Sequence, residues 1–511
     1  MAGREASTPL FWSTGRLTDH STLAAVDLGS NSFRLQISRL VDGQFYSLDS
    51  LKESVRLGAG LGADKRLDDA SWARALACLQ RFGERLRGFS PGAVRAVGTN
   101  TLRVAKNASA LMAQAEQALG FPIEIIAGHE EARLIYLGVS HALPRSHEKR
   151  LVVDIGGGST ELIIGNRFKP LRLESLFIGC VSHTRKYFPD GKITTKAMKA
   201  AELAAATELQ TIQGEFDPSH WSQAVGSSGT ARAISEVLEQ KGGLTGLITL
   251  EGMEQLREQI LFCGDVRKLD LPGLSDERVP VFPGGLTIMS SVFHELGITS
   301  MQTTDSGLRE GVLFDMLGRF EHKDARNATV RQQMRRYHVD VAQAARVESL
   351  ALQLYEEALE NNGDEADRQL ISWAARLHEM GLSIAYSGYH KHSAYIAQNA
   401  DMPGFSRGDQ NHLALLLLAQ RGGMAKLLSF VTRNEDWLLI LCLRLAVLFH
   451  RGRSDLTLPH LRIRGRAQGW VVEIDSEWSA ANMLTQANLE AEQAGWECAP
   501  FSLRIKNLRV D

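Results

Sequence analysis

Two segments of the chain repeat one pattern of apolar and polar positions. Leu23-Ala24-Ala25-Val26 runs apolar into Asp27, passes through Gly29-Ser30-Asn31-Ser32 and resumes as Phe33-Arg34-Leu35-Gln36-Ile37. Leu151-Val152-Val153 runs apolar into Asp154, passes through Gly156-Gly157-Gly158-Ser159 and resumes as Thr160-Glu161-Leu162-Ile163-Ile164. Short apolar runs bounded by glycine and hydroxyl residues predict buried strands joined by a tight turn. Further strands are expected at 94–97 and 123–126. Residues 69–87 place Trp72, Leu76, Leu79, Phe82 and Leu86 on one helical face, and Pro91-Gly92 ends that helix. Gly128 marks a sharp strand-to-helix turn, with Glu130 and Glu131 opening the helix. An alanine-rich helix is expected at 196–213, and Ser227-Ser228-Gly229-Thr230 forms a third glycine–hydroxyl turn that enters a helix. From about Glu321 strands disappear and helices dominate to about Arg453. The last stretch reads as a small α+β unit, with strands at 461–464 and 470–474, a helix at 477–493 and a strand at 501–505.

Composition narrows the classes. At 511 residues, 44% hydrophobic and 23% charged, the chain can hold several domains with cores of their own. The formal net charge is −2, so a polyanion would be held by a local basic lining and not by the field of the whole molecule. Cys78, Cys180, Cys263, Cys442 and Cys498 are widely scattered. They give no sign of a disulfide framework or a zinc site and fit a reducing compartment. Residues 1–22 carry no sustained apolar segment, so no signal peptide is expected. The most apolar run, 437–449, is interrupted by Arg444 and is too short to cross a bilayer. It is expected as a buried helix.

The repeated hairpins carry the candidate chemistry. Glycine runs let a backbone take positive φ and come close to a ligand, and successive N–H groups in such a turn form an anion site. Ser159 and Thr160 add hydroxyl donors. Asp154 can hold a hydrated divalent cation against a phosphate, and Glu161 is a second carboxylate on the far side of the same hairpin. Taken singly, each hairpin serves equally well as a tight turn between buried strands. Two copies point to a duplicated domain with a phosphate held between them. The third turn enters a helix, and helix N-termini of this type bind anions. Glu130 and Glu131 have a simpler explanation, since acidic residues favour helix N-termini through the macrodipole.

The paired hairpins resemble the actin, sugar kinase and heat-shock chaperone ATPase fold, in which phosphate loops face each other across a cleft. The spelling Asp27-Leu28-Gly29-Ser30-Asn31-Ser32 with Asp154-Ile155-Gly156-Gly157-Gly158-Ser159-Thr160-Glu161 resembles, more narrowly, the exopolyphosphatase and guanosine pentaphosphate phosphohydrolase family. The resemblance implies an α/β chain: a duplicated actin-like (ribonuclease H-like) ATPase-type core, an all-α HD-like domain and a small α+β C-terminal domain. Expected boundaries are an N-terminal extension at 1–22, actin-like halves at 23–135 and 136–318, the helical domain at 321–455 and the last domain at 456–511. The helical part is expected to lengthen the cleft into a channel for a long polymer.

The implied reaction is hydrolysis of the terminal phosphate of inorganic polyphosphate, with guanosine pentaphosphate as the alternative substrate. Glu131, by its place before Ala132-Arg133-Leu134, would be the general base, with Glu130 the less favoured neighbour. Asp154, helped by Glu161, would hold Mg²⁺, and Asp27 would assist through a metal-bound water. A monovalent cation such as K⁺ is a further candidate. Gly29, Ser30, Asn31, Gly156, Gly157, Gly158, Ser159, Ser228, Gly229 and Thr230 would cradle phosphoryl oxygens. Thr99 would lie at the cleft, and Arg34 and Arg103 would be charge partners. The run Gly307-Leu308-Arg309-Glu310-Gly311 is expected to pack against the cleft without touching substrate. No nucleic-acid partner is expected. The resemblance further implies a homodimer in the cytoplasm; peripheral attachment to the inner face of the membrane is compatible but not encoded.

Leu377-His378-Glu379-Met380-Gly381 resembles the signature of HD-type metal phosphohydrolases. Glu379 replaces the Asp, and Gln343 stands where the first His ligand belongs, so a metal-free relic is expected. Two other classes remain as alternatives, an ATP-driven kinase or chaperone and a non-catalytic polyphosphate sensor. A Glu after Gly128, where those ATPases use an Asp, argues against the first. The presence of Asp27, Glu131, Asp154 and Glu161 argues against the second.

Overall fold

Each repeated hairpin forms and seeds a sheet of the same strand order. In the first half, β1 (Thr22–Leu28), β2 (Phe33–Val41), β3 (Gln44–Glu53), β4 (Val94–Gly98) and β5 (Ile123–Ile125) lie in the order β3-β2-β1-β4-β5. Strand β1 is antiparallel to β2 and parallel to β4. Helices α1 (Asp69–Arg85), α2 (Asn100–Val104) and α3 (Ala108–Leu119) complete this half, and α4 (Gly128–Ala142) leads out of it. In the second half, β6 (Lys149–Ile155), β7 (Thr160–Asn166), β8 (Lys169–Leu176), β9 (Gln223–Ser227), β10 (Leu247–Thr249) and β11 (Ser300–Thr303) lie in the order β8-β7-β6-β9-β11-β10. The same antiparallel hairpin sits beside the same parallel strand. Helices α5 (Cys180–Tyr187), α6 (Thr195–Gln210), α7 (Ser228–Gln240), α8 (Leu250–Cys263) and α9 (Phe282–Glu295) belong to this half, and α10 (Leu308–Phe320) follows. This is the duplicated actin-like α/β core, with β10 as an added edge strand.

The computed structural model describes residues 21–41, 44–144, 147–320, 324–453, 458–459, 461–466 and 468–508. Residues 1–20 of the expected N-terminal extension lie outside these, and Thr22 already belongs to β1.

The central strands show why the sequence builds this core. Strands β1 and β6 are each buried from their second to their fifth residue, become half-buried at Asp27 or Asp154, and bury the residue that follows. An apolar strand covered on both faces leaves one place for a carboxylate, its C-terminal end, where ligands bind in open α/β sheets. Helix α1 buries Trp72, Leu79 and Phe82 as its spacing requires, each fully buried Leu or Phe being worth about 1.5–3 kcal/mol. Asp68 caps it by accepting from the Ser71 N–H at 2.7 Å.

Helix α4 connects the two halves, and α10 packs along it. They meet backbone to backbone. A Cβ at Gly138 would stand 2.1 Å from the Gly307 carbonyl oxygen, and one at Gly311 would stand 1.8 Å from the Leu134 oxygen. Six charged side chains tie the same crossing to the first sheet. Asp315 of α10 accepts from Arg95 of β4 (2.7 Å), Arg133 of α4 (2.6 Å) and Arg319 (3.0 Å). Arg133 also holds both oxygens of Glu130, at 2.7 and 2.8 Å, and Arg95 is paired with Glu124 of β5.

The C-terminal residues, from Ala325, form a separate compact unit. Helices α11 (Ala325–Arg336), α12 (Val341–Ala358), α13 (Glu365–Leu377), α14 (Tyr389–Asn399), α15 (Arg407–Ala419) and α16 (Asp436–Phe449) come first. Then follow β12 (Arg462–Arg466), β13 (Gly469–Asp475), α17 (Ser476–Ala481), α18 (Met483–Gly495) and β14 (Ser502–Leu508). One hydrophobic core runs from Val330 to Leu503, so the parts expected at 321–455 and 456–511 share a core. The helix expected at 477–493 breaks at Asn482, whose side-chain amide donates to the Trp478 carbonyl at 2.8 Å. Helix α16 is buried on nearly every face. No helix among the described residues is long and apolar enough to cross a membrane. Among the HD-like residues, Arg453 donates to Glu379. Arg346 donates to Gln343 at 3.1 Å, and Gln343 donates to the His450 carbonyl at 2.8 Å. Burial pushes His378 down to about 4, which keeps it neutral. Arg453 is thus the cation beside Glu379 in this unit.

Candidate active site

The two hairpin turns face each other and touch. None of Gly156, Gly157 and Gly158 takes positive φ, so the freedom expected of them is not what the fold uses. What it uses is their missing Cβ. A Cβ at Gly157 would stand 2.9 Å from the Ser30 Cβ, and one at Gly158 would stand 2.5 Å from the Asn100 Oδ1. The left-handed residue in the cleft is Ser228 instead, with φ 84° at the turn from β9 into α7. A strained non-glycine residue of this kind persists where its surroundings hold it in place.

Between the turns lies a cavity of about 130 Å³ lined by Asp27, Gly29, Ser30, Asn31, Arg34, Thr99, Glu131, Asp154, Gly156, Gly157, Gly158, Ser159, Ser228 and Gly229, among others. That is small beside the roughly 300–1,000 Å³ of sites for drug-sized ligands. It suits the end of a phosphate chain. Three expected site residues do not line it. Thr230 turns its hydroxyl back to donate to the Ile155 carbonyl at 2.9 Å, tying α7 to β6. Arg103 stands behind Glu131 and donates to its Oε2 at 3.2 Å and to the Ile126 carbonyl at 2.8 Å. Glu161, paired across the hairpin with Asp154, is 1% exposed and accepts from the Ser175 hydroxyl at 2.8 Å.

Other residues line the cavity that the sequence did not mark for it. Arg309 and Glu310, expected only to pack nearby, face it with Gly307. Arg232 and Arg278 join them. Arg278 packs its guanidinium end against Gly229, where a Cβ would come within 1.6 Å of its Nη2. Its local sequence, Asp276-Glu277-Arg278, has no glycine–hydroxyl pattern, and only the tertiary fold brings it to the third turn. The family run around Arg309 was a signal, but it does not say which side chains point inward.

The helical geometry of α4 separates the adjacent acids. Successive residues point about 100° apart, so Glu130 turns into the buried Arg133–Asp315 network while Glu131 faces the cavity. Burial pushes the Glu131 carboxyl up to about 7, against the pull of Arg103 and with help from Asp27 and Asp154. Burial also raises Asp27 to about 6 against Arg34 and Arg309, and Asp154 to about 6 against the Ser227 hydrogen bond and Arg34. Glu161 is raised well above the usual range by burial, Glu131 and Asp154. On the basic side, burial and the neighbouring Arg309 push Arg34 down to about 10. Positive charge beside the acids and negative charge beside the arginines would both be stabilised here. A divalent cation bound to a phosphate chain brings both.

The donor set bears on which cation fits. Asp27 and Asp154 face the cavity, and no group of three or more His, Cys, Asp or Glu among the described residues could hold a metal by itself. Mg²⁺ is commonly held by one or two carboxylates, with water and substrate phosphate oxygens filling its octahedron. The residues fit that mode and not a closed protein cage.

Comparison with known proteins agrees with the fold. The model of the Ppx/GppA phosphatase family matches residues 36–320, and that of Ppx/GppA phosphatase domain III matches residues 325–493. Among solved structures, an exopolyphosphatase from Cytophaga hutchinsonii is 25% identical, with a TM-score of 0.54 over 58% of this chain and 98% of its own. An exopolyphosphatase-like protein is 23% identical, with the same TM-score and coverage. A Ppx-GppA enzyme from Aquifex aeolicus is 26% identical, with a TM-score of 0.49 over 57% of this chain and 98% of its own.

Proposed function

This chain belongs to the Ppx/GppA phosphatase family, and from that premise we propose that it removes the terminal phosphate of inorganic polyphosphate by hydrolysis. The observation that carries the proposal is one buried carboxylate, Glu131, facing a small cavity shared by two phosphate-type hairpins and several arginines. The Cytophaga relative, named an exopolyphosphatase, supports the substrate class.

In the proposed step a water oxygen attacks the terminal phosphorus, and the bridging P–O bond breaks. Orthophosphate leaves, and the chain is one phosphate shorter. Glu131 accepts the proton of the attacking water. Arg103, bonded to Glu131 Oε2, holds that carboxylate in place. Backbone N–H groups of the turns at 29–32 and 156–159, with Arg34, Arg278 and Arg309, hold the phosphoryl oxygens. Catalysis of this kind works by positioning and electrostatics. Asp27 and Asp154 would hold Mg²⁺, which when bound neutralises charge on the terminal phosphates. Glu161 would act from behind Asp154.

Phosphate release from long polyphosphate and from guanosine pentaphosphate, at matched concentrations with Mg²⁺, tests the reading. Faster release from polyphosphate is expected, and a large preference for the nucleotide would overturn it.

The raised Glu131 carboxyl gives a pH dependence. A base must be ionised, so kcat/KM should climb as pH rises through about 7 and fall on the acid side. A bound cation favours the ionised carboxylates, so more Mg²⁺ should move this limb to lower pH. Rate profiles at two Mg²⁺ concentrations check both signs. A flat profile through neutrality at both would remove Glu131 as the titrating base.

A further inference from the structure

The two phosphate hairpins each rest on a support outside the cavity. Behind the first lies the short turn Leu57–Gly60. The Arg56 N–H donates to the Asn31 carbonyl and the Gly58 N–H to the Ser30 carbonyl, both at 2.7 Å. This turn is seated on α1, where a Cβ at Gly60 would stand 2.0 Å from the Ser71 Oγ. Behind the second hairpin lies the N-terminus of α5. The Cys180 N–H donates to the Gly156 carbonyl, and the Val181 N–H to the Gly157 carbonyl, both at 2.9 Å.

One side chain joins the two supports. Arg185 projects from α5, in the second half, and its Nη1 donates to the Gly58 carbonyl at 2.8 Å and the Leu61 carbonyl at 3.2 Å, in the first. It is exposed and does not line the cavity. We propose that Arg185 is a positioning residue, a clasp that fixes the spacing of the two hairpins by tying the turn behind one to the helix behind the other. The proposal rests on the phosphohydrolase reading above. Both hairpins are asked to meet on the same phosphoryl group, so their spacing decides whether the group is held in line with the base. Charge-assisted hydrogen bonds are among the stronger ones, and small misplacements at a reacting centre cost rate more than they cost binding.

The test is Arg185→Met in the full chain. Turnover on polyphosphate should fall about tenfold, with KM within about threefold of the parent. The melting temperature should stay near the parent value, because the side chain is exposed. Hydrogen exchange in the segment 54–61 should quicken, since its amides lose the tethered geometry. Arg185→Lys, which keeps the charge and a donor, should recover part of the turnover. Unchanged turnover and exchange in Arg185→Met would overturn the proposal. So would equal losses in both variants that track a fall in melting temperature. If the parent releases no phosphate from either substrate, the function reading has failed, and exchange in 54–61 alone judges the clasp: no change there overturns it.

Discussion

Glu131→Gln should lower kcat about a hundredfold to ten-thousandfold while leaving fold and substrate binding intact. The size follows from the role. A general base acts in the transition state, so its loss appears in kcat and much less in binding. The substitution keeps the shape of the side chain and an oxygen to accept from Arg103, which bonds Glu131 Oε2 at 3.2 Å. It removes a carboxyl that burial already holds high, so the neutral amide is well tolerated and the melting temperature should not drop. The acid limb of the rate profile should disappear with the base. Phosphate release near the parent rate would take Glu131 out of the role. Glu130 would be a poor replacement, because both its oxygens are bound to Arg133.

Asp315→Ala should destabilise the N-terminal unit by about 3–5 kcal/mol, the cost of removing one partner from a buried ion network. Asp315 is 6% exposed and accepts from three guanidinium groups. Without it Arg95, Arg133 and Arg319 lose the carboxylate they share, and buried positive charge loses its common counter-ion. For a unit of this size the loss should lower the melting temperature by on the order of 10 °C. The pH sign is fixed too. Burial would raise the Asp315 carboxyl, but Arg133, Arg319 and Arg95 outweigh it and hold it far below the usual carboxylate range. Its stabilising contribution is therefore present above the unfolded value of about 4 and is lost as pH falls below it. Thermal unfolding at neutral and acid pH measures both effects. A variant as stable as the parent at neutral pH would mean that the network is not a source of stability. Turnover should fall as well, because the network anchors the helix that carries Glu131.

The sequence alone determined whatever is written locally. An apolar run ending in Asp, then glycine and hydroxyl residues, then another apolar run can fold as little but a buried hairpin, and both copies do. The helical face of Trp72, Leu79 and Phe82, and the acidic start of α4, were equally legible. Spacing set them, and spacing is a property of neighbours in the chain. The tertiary structure decided the rest, because the remaining questions turn on residues far apart in sequence. It turned Glu130 toward Asp315, 185 positions away, and left Glu131 facing the cavity. It moved Arg103 and Glu161 behind the lining they were expected to join and brought Arg278 onto Gly229. It gave Gly157 and Gly158 a reason that no turn rule contains, the contact with Ser30 and Asn100 of the other half. A glycine reads the same in sequence whether it frees φ or makes room for a neighbour. The packing of the two halves separates the cases, because close approach is a distance between chains of atoms that local pattern does not encode.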